Sequence, residues 1–271
     1  MKKPLFNKIA IVGVGLVGGS LGLAIKRKKL ARFVIGIARR EKTLREAFHR
    51  KAIDVGTLDL KRGVEDADIV ILAGPVSAIV SQLQGIQKFL KKGALVIDVG
   101  SSKELIDRTA KKYLKNNIFI GCHPMAGSEK TGVENSCSYL FERSICFVTK
   151  SNAKVNGLWR SLGSAPVLIS ATKHDDWAAR VSHLPHVLGF SIFQDLKSPV
   201  KVPLNPSLRS LGRLAKSDPM LWVDVLLSNK RPMLSAISNF ERNLKLFRRA
   251  IAMGSVSALK RLIQKSNLHA A

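Results

Sequence analysis

Three glycines near the amino terminus have the spacing that best suggests chemistry. Gly13, Gly15 and Gly18 follow a short apolar run at residues 8–12 and precede an apolar stretch that ends in cations. Between a strand and a helix, the first glycine permits a tight turn, the second lets the backbone approach a pyrophosphate, and the third allows close packing. The spacing predicts a dinucleotide-binding turn rather than a glycine-rich core turn. Its expected cofactor contacts are Gly13, Gly15, Leu16, Val17 and Gly18.

The residues after the second apolar run, 33–37, bear on which dinucleotide is bound. An acidic side chain about 20 positions after the glycines usually binds the ribose 2′-hydroxyl of NAD. Here that position holds Ala38, followed by Arg39 and Arg40. A guanidinium matches a phosphate with a planar, permanently charged fork, so we predict a preference for NADP, with NAD as the alternative. Glu41 could supply the acid if the loop were shifted, and the arginines could be ordinary surface cations.

Strand and helix patterns alternate through the first 170 residues. Further buried strands are predicted at three apolar runs: 68–73, 95–99 and 118–121. Such alternation predicts a parallel, doubly wound (Rossmann-type) α/β sheet, with ligands beyond the carboxyl ends of its strands. Two polar segments, 100–103 and 122–129, would form loops at that edge. They would place Ser101 and His123 where functional side chains usually lie.

The pattern changes after residue 169, where strand-like runs stop. Apolar residues then recur at steps of three and four between residues 237 and 251, which predicts a long amphipathic helix. We therefore predict a dinucleotide-binding domain at residues 1–170 and an all-helical domain at residues 171–271. Pro185 is expected to kink its helix and open room at the cleft between the domains. Because apolar seams are often buried in a partner subunit, we also predict a homodimer formed through the helical domain.

The composition narrows the class of protein. The 271 residues include 45 Lys+Arg and 19 Asp+Glu, a formal net charge of +26. A nucleic-acid-binding protein on a Rossmann scaffold is therefore an alternative. The basic residues are, however, spread along the chain, and aromatics make up only 6%. That distribution favours a basic solvated surface over a surface that stacks bases, so we expect no specific nucleic-acid partner.

Cysteines and apolar segments indicate the compartment. Three cysteines without a CxxC pair argue against a disulfide framework and for a reducing environment. The apolar segment at residues 9–25 contains five glycines, and glycine disfavours a signal or membrane helix. We expect a cytoplasmic protein without a membrane partner.

Four further motifs give the sequence a specific resemblance. In chain order they are residues 98–103 (DVGSSK), 121–134 (GCHPMAGSEKTGVE), 181–186 (VSHLPH) and 213–222 (RLAKSDPMLW). Together with the glycine turn, they resemble the prephenate/arogenate dehydrogenase family of tyrosine biosynthesis. One departure is the segment Ala73-Gly74-Pro75, where the family more often has Thr-Pro.

The resemblance implies an enzyme that oxidises and decarboxylates a cyclohexadienol dicarboxylate with a nicotinamide cofactor. Prephenate dehydrogenases form 4-hydroxyphenylpyruvate, whereas arogenate dehydrogenases form tyrosine. His123 matches the family's catalytic histidine, whose neutral imidazole can accept the hydroxyl proton. Ser101 matches the serine that bridges the hydroxyl and the histidine. Judged by its own position, His123 could instead cap a turn at a strand end.

The resemblance also implies substrate-side residues, and we expect no metal ion because no carboxylate or Cys lies at a matching spacing from His183 and His186. Arg213 matches the arginine that binds a substrate carboxylate, and His186 matches a second substrate-side histidine. Glu129 matches an acidic residue at the mouth of the site, and Trp222 matches an aromatic near the pocket. Arg213 could instead form an interdomain salt bridge, and His183 with His186 could be half of a metal site. Because His186 favours prephenate, we expect an NADP-preferring prephenate dehydrogenase, with an arogenate dehydrogenase as the alternative.

Overall fold

The fold is seen in a computed structural model that describes residues 3–128, 130–196 and 206–267. The strands in this part of the chain are β1 (Phe6–Val12), β2 (Ala31–Ile37), β3 (Val55–Thr57), β4 (Ile69–Leu72), β5 (Leu95–Asp98), β6 (Ile118–Pro124), β7 (Ile145–Val148) and β8 (Ala165–Leu168). The helices are α1 (Leu16–Arg27), α2 (Glu41–His49), α3 (Leu60–Val64), α4 (Val76–Ile86), α5 (Glu104–Tyr113), α6 (Ala153–Ser161), α7 (Ala171–Ala178), α8 (Leu184–Asp195), α9 (Pro206–Ala215), α10 (Pro219–Ser228), α11 (Lys230–Ala252) and α12 (Val256–Asn267).

The strands form one sheet in the order β3-β2-β1-β4-β5-β6-β7-β8. From β3 to β6 all neighbours are parallel, which confirms the predicted doubly wound sheet. β7 differs because it runs antiparallel to β6, and β8 then runs parallel to β7. A parallel neighbour needs a crossover connection, usually a helix. α6 supplies one between β7 and β8, whereas the described chain between β6 and β7 forms only a short 3₁₀ turn at Val133–Asn135.

The strands that position the site are buried on both faces. Ile9 and Ile11 of β1 belong to one apolar core, and Ala10 and Val12 of the same strand belong to a second. A strand covered by helices on both sides must be apolar at successive positions. This requirement explains the unbroken apolar run before the glycine turn, and it fixes the turn at the carboxyl edge of the sheet.

The chain after β8 is helical, as predicted. α7 continues into a π-helical segment, Ala179–His183, and then into α8. Pro185 lies in the first turn of α8. Proline removes a backbone donor and crowds the preceding turn, so the irregularity expected at Pro185 takes the form of a widened helical turn immediately before it.

The long amphipathic helix predicted from the sequence corresponds to α11, which spans 23 residues. Its apolar face is incompletely covered, since Leu244 and Ile251 are 56% and 65% exposed. Only a small buried apolar cluster, Ala179, Met233 and Ala236, lies in the described helical region. Over the same described residues, no helix has both the length and the apolar character needed to cross a membrane.

Candidate active site

The glycine turn leaves open space beside the start of α1. Gly13 has a φ of +100°, a conformation that favours glycine. A Cβ on Gly18 would lie 1.9 Å from the Gly13 carbonyl oxygen, whereas a Cβ on Gly15 would meet nothing within 4 Å. Gly15 precedes α1 without a side-chain cap, and the first turn of α1 contains no acidic residue. Free amides beside open space fit a pyrophosphate group.

Arg39 and Arg40 follow the strand that adjoins this turn. β1 and β2 are parallel neighbours, and the Gly13 amide donates to the Ile37 carbonyl at 2.8 Å. Both arginines are exposed, in the short connection between β2 and α2. The two guanidinium groups are therefore carried at the same edge of the sheet as the glycine turn.

A cavity of about 880 Å³ opens at the carboxyl edge of the sheet. Gly15, Leu16 and Val17 of the glycine turn form part of its wall, and so do Ser101 and His123. α10 and the segment Ala73-Gly74-Pro75 form other parts of the wall. The structure thus brings the predicted dinucleotide turn and both predicted catalytic residues to one cavity.

His123 lies in strand β6 rather than in the loop after it. We expected this strand to end at residue 121, but it continues to Pro124 because β7 pairs with it, placing Phe147 opposite His123. The neighbouring Cys122 is buried in the apolar core, as side-chain alternation along a strand requires. Pairing with β7 therefore holds the His123 backbone in a sheet instead of a flexible loop.

The His123 imidazole is hydrogen-bonded to His174 of α7 and, through His174, is linked to Asp175 of the same helix. His123 Nδ1 lies 2.9 Å from His174 Nε2, and His174 Nδ1 lies 2.8 Å from Asp175 Oδ1. His174 and Asp175 are 0% and 1% exposed. Burial holds the pKa of His123 well below its usual value, and His174, Lys103 and His183 lower it further. The imidazole is therefore neutral near pH 7 and can accept a proton.

Asp175 also connects α7 with the sheet domain. Its carboxylate oxygens accept the backbone amides of Lys103 at 2.7 Å and Glu104 at 2.8 Å. α5 has no side-chain cap at its own N-cap residue, so Asp175 caps this helix from a distance. The sequence motifs do not identify His174 or Asp175. The available signal is a His-Asp dipeptide a few residues after position 169, where the strand-like runs stop.

Asn229, the residue between α10 and α11, links Asp175 to a second buried histidine, His183. Asn229 Nδ2 donates to the Asp175 carbonyl at 2.9 Å and lies 3.1 Å from His183 Nδ1. Because an amide nitrogen only donates, His183 Nδ1 must be the acceptor. His183 is thus a neutral imidazole with its proton on Nε2, and burial lowers its pKa to about 4.

His186, Trp222 and Arg213 form a separate group on the helices. The His186 ring stacks on Trp222 with centroids 3.6 Å apart, and its Nδ1 donates to the Ser182 carbonyl at 2.9 Å. Burial lowers the pKa of His186, the hydrogen bond to Ser182 raises it, and the charge of Arg213 lowers it. The His183 ring packs edge-on against Trp222, with ring centroids 5.9 Å apart, and His183 thereby connects this group to Asn229. None of these residues is part of the cavity wall described above.

Glu129 and the predicted absence of a metal are the two remaining predictions about the site. Glu129 lies outside the described residues. Among the described residues, no group of three or more His, Cys, Asp or Glu side chains is arranged so that it could hold a metal ion.

Two carboxylates support the walls of the cavity. Asp98, at the end of β5, forms a fully buried ion pair with Lys103, and its Oδ2 accepts the Gly100 amide at 2.8 Å. Burial raises the pKa of Asp98, and Lys103 opposes that rise. Asp224 of α10 accepts the amide of Val76 at 2.6 Å, at the start of α4. Asp224 thereby joins the helical region to the sheet domain within the cavity wall.

Two family models match the chain. The model described as "Prephenate dehydrogenase, nucleotide-binding domain" matches residues 21–160, and "Prephenate dehydrogenase, dimerization domain" matches residues 170–265. The chain belongs to the prephenate dehydrogenase family. It is therefore a dehydrogenase, as the four sequence motifs predicted.

Individual proteins of known function resemble the chain over most of its length. Prephenate dehydrogenase of Lactococcus lactis subsp. cremoris is 34% identical over 247 residues, which are 88% of this chain and 69% of that protein. Prephenate dehydrogenase from A. aeolicus, in complex with hydroxyphenyl propionate and NAD+, has a TM-score of 0.87 and 28% identity, covering 97% of this chain and 96% of that one. Synechocystis arogenate dehydrogenase has a TM-score of 0.80 and 26% identity, covering 96% and 97%.

Proposed function

We propose that this protein oxidises prephenate to 4-hydroxyphenylpyruvate with loss of carbon dioxide, using NADP in preference to NAD. The observation that carries this proposal is the shared cavity, whose wall includes the glycine turn, Ser101 and His123. The reaction needs a dinucleotide, a proton acceptor and a substrate alcohol within reach of one another. The cavity offers places for all three.

His123 is proposed as the proton acceptor. Its pKa is held well below the usual value, so at neutral pH the imidazole is free to take the hydroxyl proton as the alcohol is oxidised. Ser101 lies half-buried on the same cavity wall. Its hydroxyl can both donate and accept, which suits the proposed bridge between the substrate alcohol and His123.

We assign the binding of the substrate carboxylates to residues of the helical region. Arg213 lies close enough to His186 to lower the pKa of that histidine, so the two residues present a cationic and a polar group together. A guanidinium can bind a carboxylate through two parallel hydrogen bonds. Trp222 holds the His186 ring by stacking. Arg213→Ala should raise KM for prephenate more than it lowers kcat.

The nicotinamide group, when bound, accepts the hydride that leaves the substrate. Free amides at the start of α1 would bind the pyrophosphate. Arg39 and Arg40, beside the glycine turn, would bind a ribose 2′-phosphate. Alanine at both positions should lower kcat/KM for NADP by about tenfold to a hundredfold, the value of one or two charge-assisted hydrogen bonds, and leave NAD use unchanged. Arg32→Ala, at the opposite end of β2, is the matched control.

The substrate proposal is tested by following reduced nicotinamide absorbance with prephenate or arogenate, each with NADP or NAD. We expect the highest kcat/KM with prephenate and NADP. His123→Ala should lower kcat by about a hundredfold or more while NADP affinity is retained. Equal turnover by that variant would contradict the role given to His123.

Arogenate is the second candidate substrate. The similarity to Synechocystis arogenate dehydrogenase, at 26% identity, is close to that with the A. aeolicus prephenate dehydrogenase, at 28%. His186 is the reason we place prephenate first. A kcat/KM for arogenate well above that for prephenate would reverse this order.

We further propose a homodimer formed through a helical domain that begins near residue 171. The family model that matches residues 170–265 is described as a dimerization domain. In the single chain, Leu244 and Ile251 on α11 stay largely exposed, and covering such side chains would stabilise a dimer. Leu244→Glu should shift the sedimentation velocity toward that of a monomer. Leu58→Glu, an equally exposed leucine in the sheet domain at 51% exposure, should not.

The cysteines agree with the cytoplasmic location that we propose. Cys122, Cys137 and Cys146 are all free thiols, and two of them are buried. Unpaired thiols of this kind are typical of proteins from a reducing compartment.

A further inference from the structure

His174 and Asp175 occupy a position that the reaction scheme above does not use. Both are buried, both lie on α7, and together they extend the hydrogen bonding of His123 into the protein interior. A neutral imidazole holds its single proton on one of its two nitrogens, and only the other nitrogen can act as a base. The group that fixes the position of this proton therefore decides which nitrogen of His123 is the base. The contacts of His174 and Asp175 decide which nitrogen of His123 carries the proton.

The direction of each hydrogen bond follows from Asp175. Its Oδ1 receives the Lys103 amide, which can only donate, and a carboxylate oxygen accepts from His174 Nδ1 as well. The proton of a neutral His174 is therefore on Nδ1, and its Nε2 is an acceptor. The only partner of His174 Nε2 within the described chain is His123 Nδ1, at 2.9 Å. His123 Nδ1 must then donate.

We infer that His174 and Asp175 are positioning residues, which hold His123 with its proton on Nδ1 and leave Nε2 as the proton acceptor toward the cavity. This inference rests on the proposed function of His123 and specifies the atom that carries it out. After proton uptake at Nε2, the Nδ1 proton still has His174 as its acceptor. The cation formed on His123 is thus hydrogen-bonded on its buried side.

The same arrangement makes the tautomer depend on how the two parts of the chain are packed. His123 is carried by β6 of the sheet, whereas His174 and Asp175 are carried by the first helix after the sheet. Asp175 is fixed by the amides at the start of α5 and, through its carbonyl, by Asn229. These contacts hold the carboxylate, the carboxylate holds His174, and His174 holds His123.

The tautomer can be measured directly in the free protein. Selective ¹⁵N labelling of histidine involves six residues, and the His123 signals are assigned by their loss in His123→Gln. We expect the proton of His123 on Nδ1 in the wild type. In His174→Phe, a ring of similar shape without an acceptor, both tautomers should be populated and kcat should fall by about a hundredfold, with KM and NADP affinity little changed.

Two further variants separate positioning from packing. His174→Gln retains an acceptor for His123 and a donor for Asp175, so it should restore the Nδ1 tautomer and most of kcat. Phe147→Leu changes the ring that packs edge-on against His174 at 5.5 Å without touching the hydrogen bonds, so it should leave the tautomer unchanged. A His123 proton on Nε2 in the wild type, or full kcat in His174→Phe, would overturn the inference. If the wild type oxidised neither prephenate nor arogenate, the proposed function would fail, whereas the tautomer would still be decided by the NMR measurement.

Discussion

Asp224 offers a sharp test of how the cavity is held together. Its carboxylate accepts the Val76 amide at 2.6 Å and the Ser77 amide at 3.1 Å. α4 starts after Pro75 and has no side-chain cap of its own, so Asp224 of α10 satisfies the free amides at the start of α4. Asp224→Ala removes both hydrogen bonds without adding bulk.

The expected magnitude follows from the two hydrogen bonds that the substitution removes. A helix cap contributes about 1 kcal/mol, with a range of roughly 0.5–2, and a charged acceptor such as Asp224 favours the upper half of that range. We expect Asp224→Ala to lower the free energy of unfolding by about 1–2 kcal/mol, or Tm by about 2–8 °C. Because α10 also forms part of the cavity wall, KM for the dinucleotide and for the substrate should rise, with a smaller effect on kcat.

Asp59→Ala is the matched control for this experiment. Asp59 caps α3 locally by accepting the Lys61 amide at 2.8 Å and the Arg62 amide at 3.3 Å, away from the cavity wall. Asp59→Ala should lower Tm by a similar or smaller amount and leave KM for the dinucleotide and KM for the substrate unchanged. If Asp224→Ala behaved like Asp59→Ala in the kinetic assay, the carboxylate would be a helix cap alone, and the reasoning about the cavity wall would be wrong.

The glycine turn, His183 and the buried ion pair each give a further prediction. Gly18→Ala, whose Cβ would lie 1.9 Å from a backbone oxygen, should lower Tm and dinucleotide affinity together. Gly15→Ala should weaken only dinucleotide binding, as measured by calorimetry, and an equal loss of Tm would contradict this. The pKa of His183 is about 4 when folded and near 6.5 when unfolded. The unfolded state therefore binds the extra proton, and stability should fall by up to about 3 kcal/mol as the pH drops from 6.5 to 4. His183→Phe should flatten that dependence in urea titrations. Asp98→Asn would leave the buried ammonium of Lys103 without its carboxylate, and we expect a loss of about 3–5 kcal/mol in the same titrations. A loss below about 1 kcal/mol would mean that water reaches Lys103.

Local spacing accounts for what the sequence could predict. The roles of Gly13, Gly15 and Gly18 depend on a turn of six residues, and strand and helix periods are also short-range patterns. The parallel sheet and the helical second half were predictable for this reason. The extension of β6 to Pro124 was not, because it depends on β7 pairing with it from more than 20 residues away.

Contacts between distant segments account for what the sequence could not predict. His174 meets His123 across 51 positions, and Asn229 meets Asp175 across 54. No period or motif encodes these pairs, since they form only when the helices pack against the sheet. Motif order likewise predicted substrate-side roles for His186 and Trp222 without indicating that the two rings stack on each other.

The long-range cap that Asp175 places on α5 has a consequence for folding. An isolated fragment ending with β8 would keep the strands and the glycine turn, but it would lack α10 and with it part of the cavity wall. It would lack the carboxylate that covers the first amides of α5, and its imidazole at position 123 would lose the group that sets its orientation. The first turn of α5 and the orientation of His123 are thus completed together, when the carboxy-terminal helices dock on the sheet.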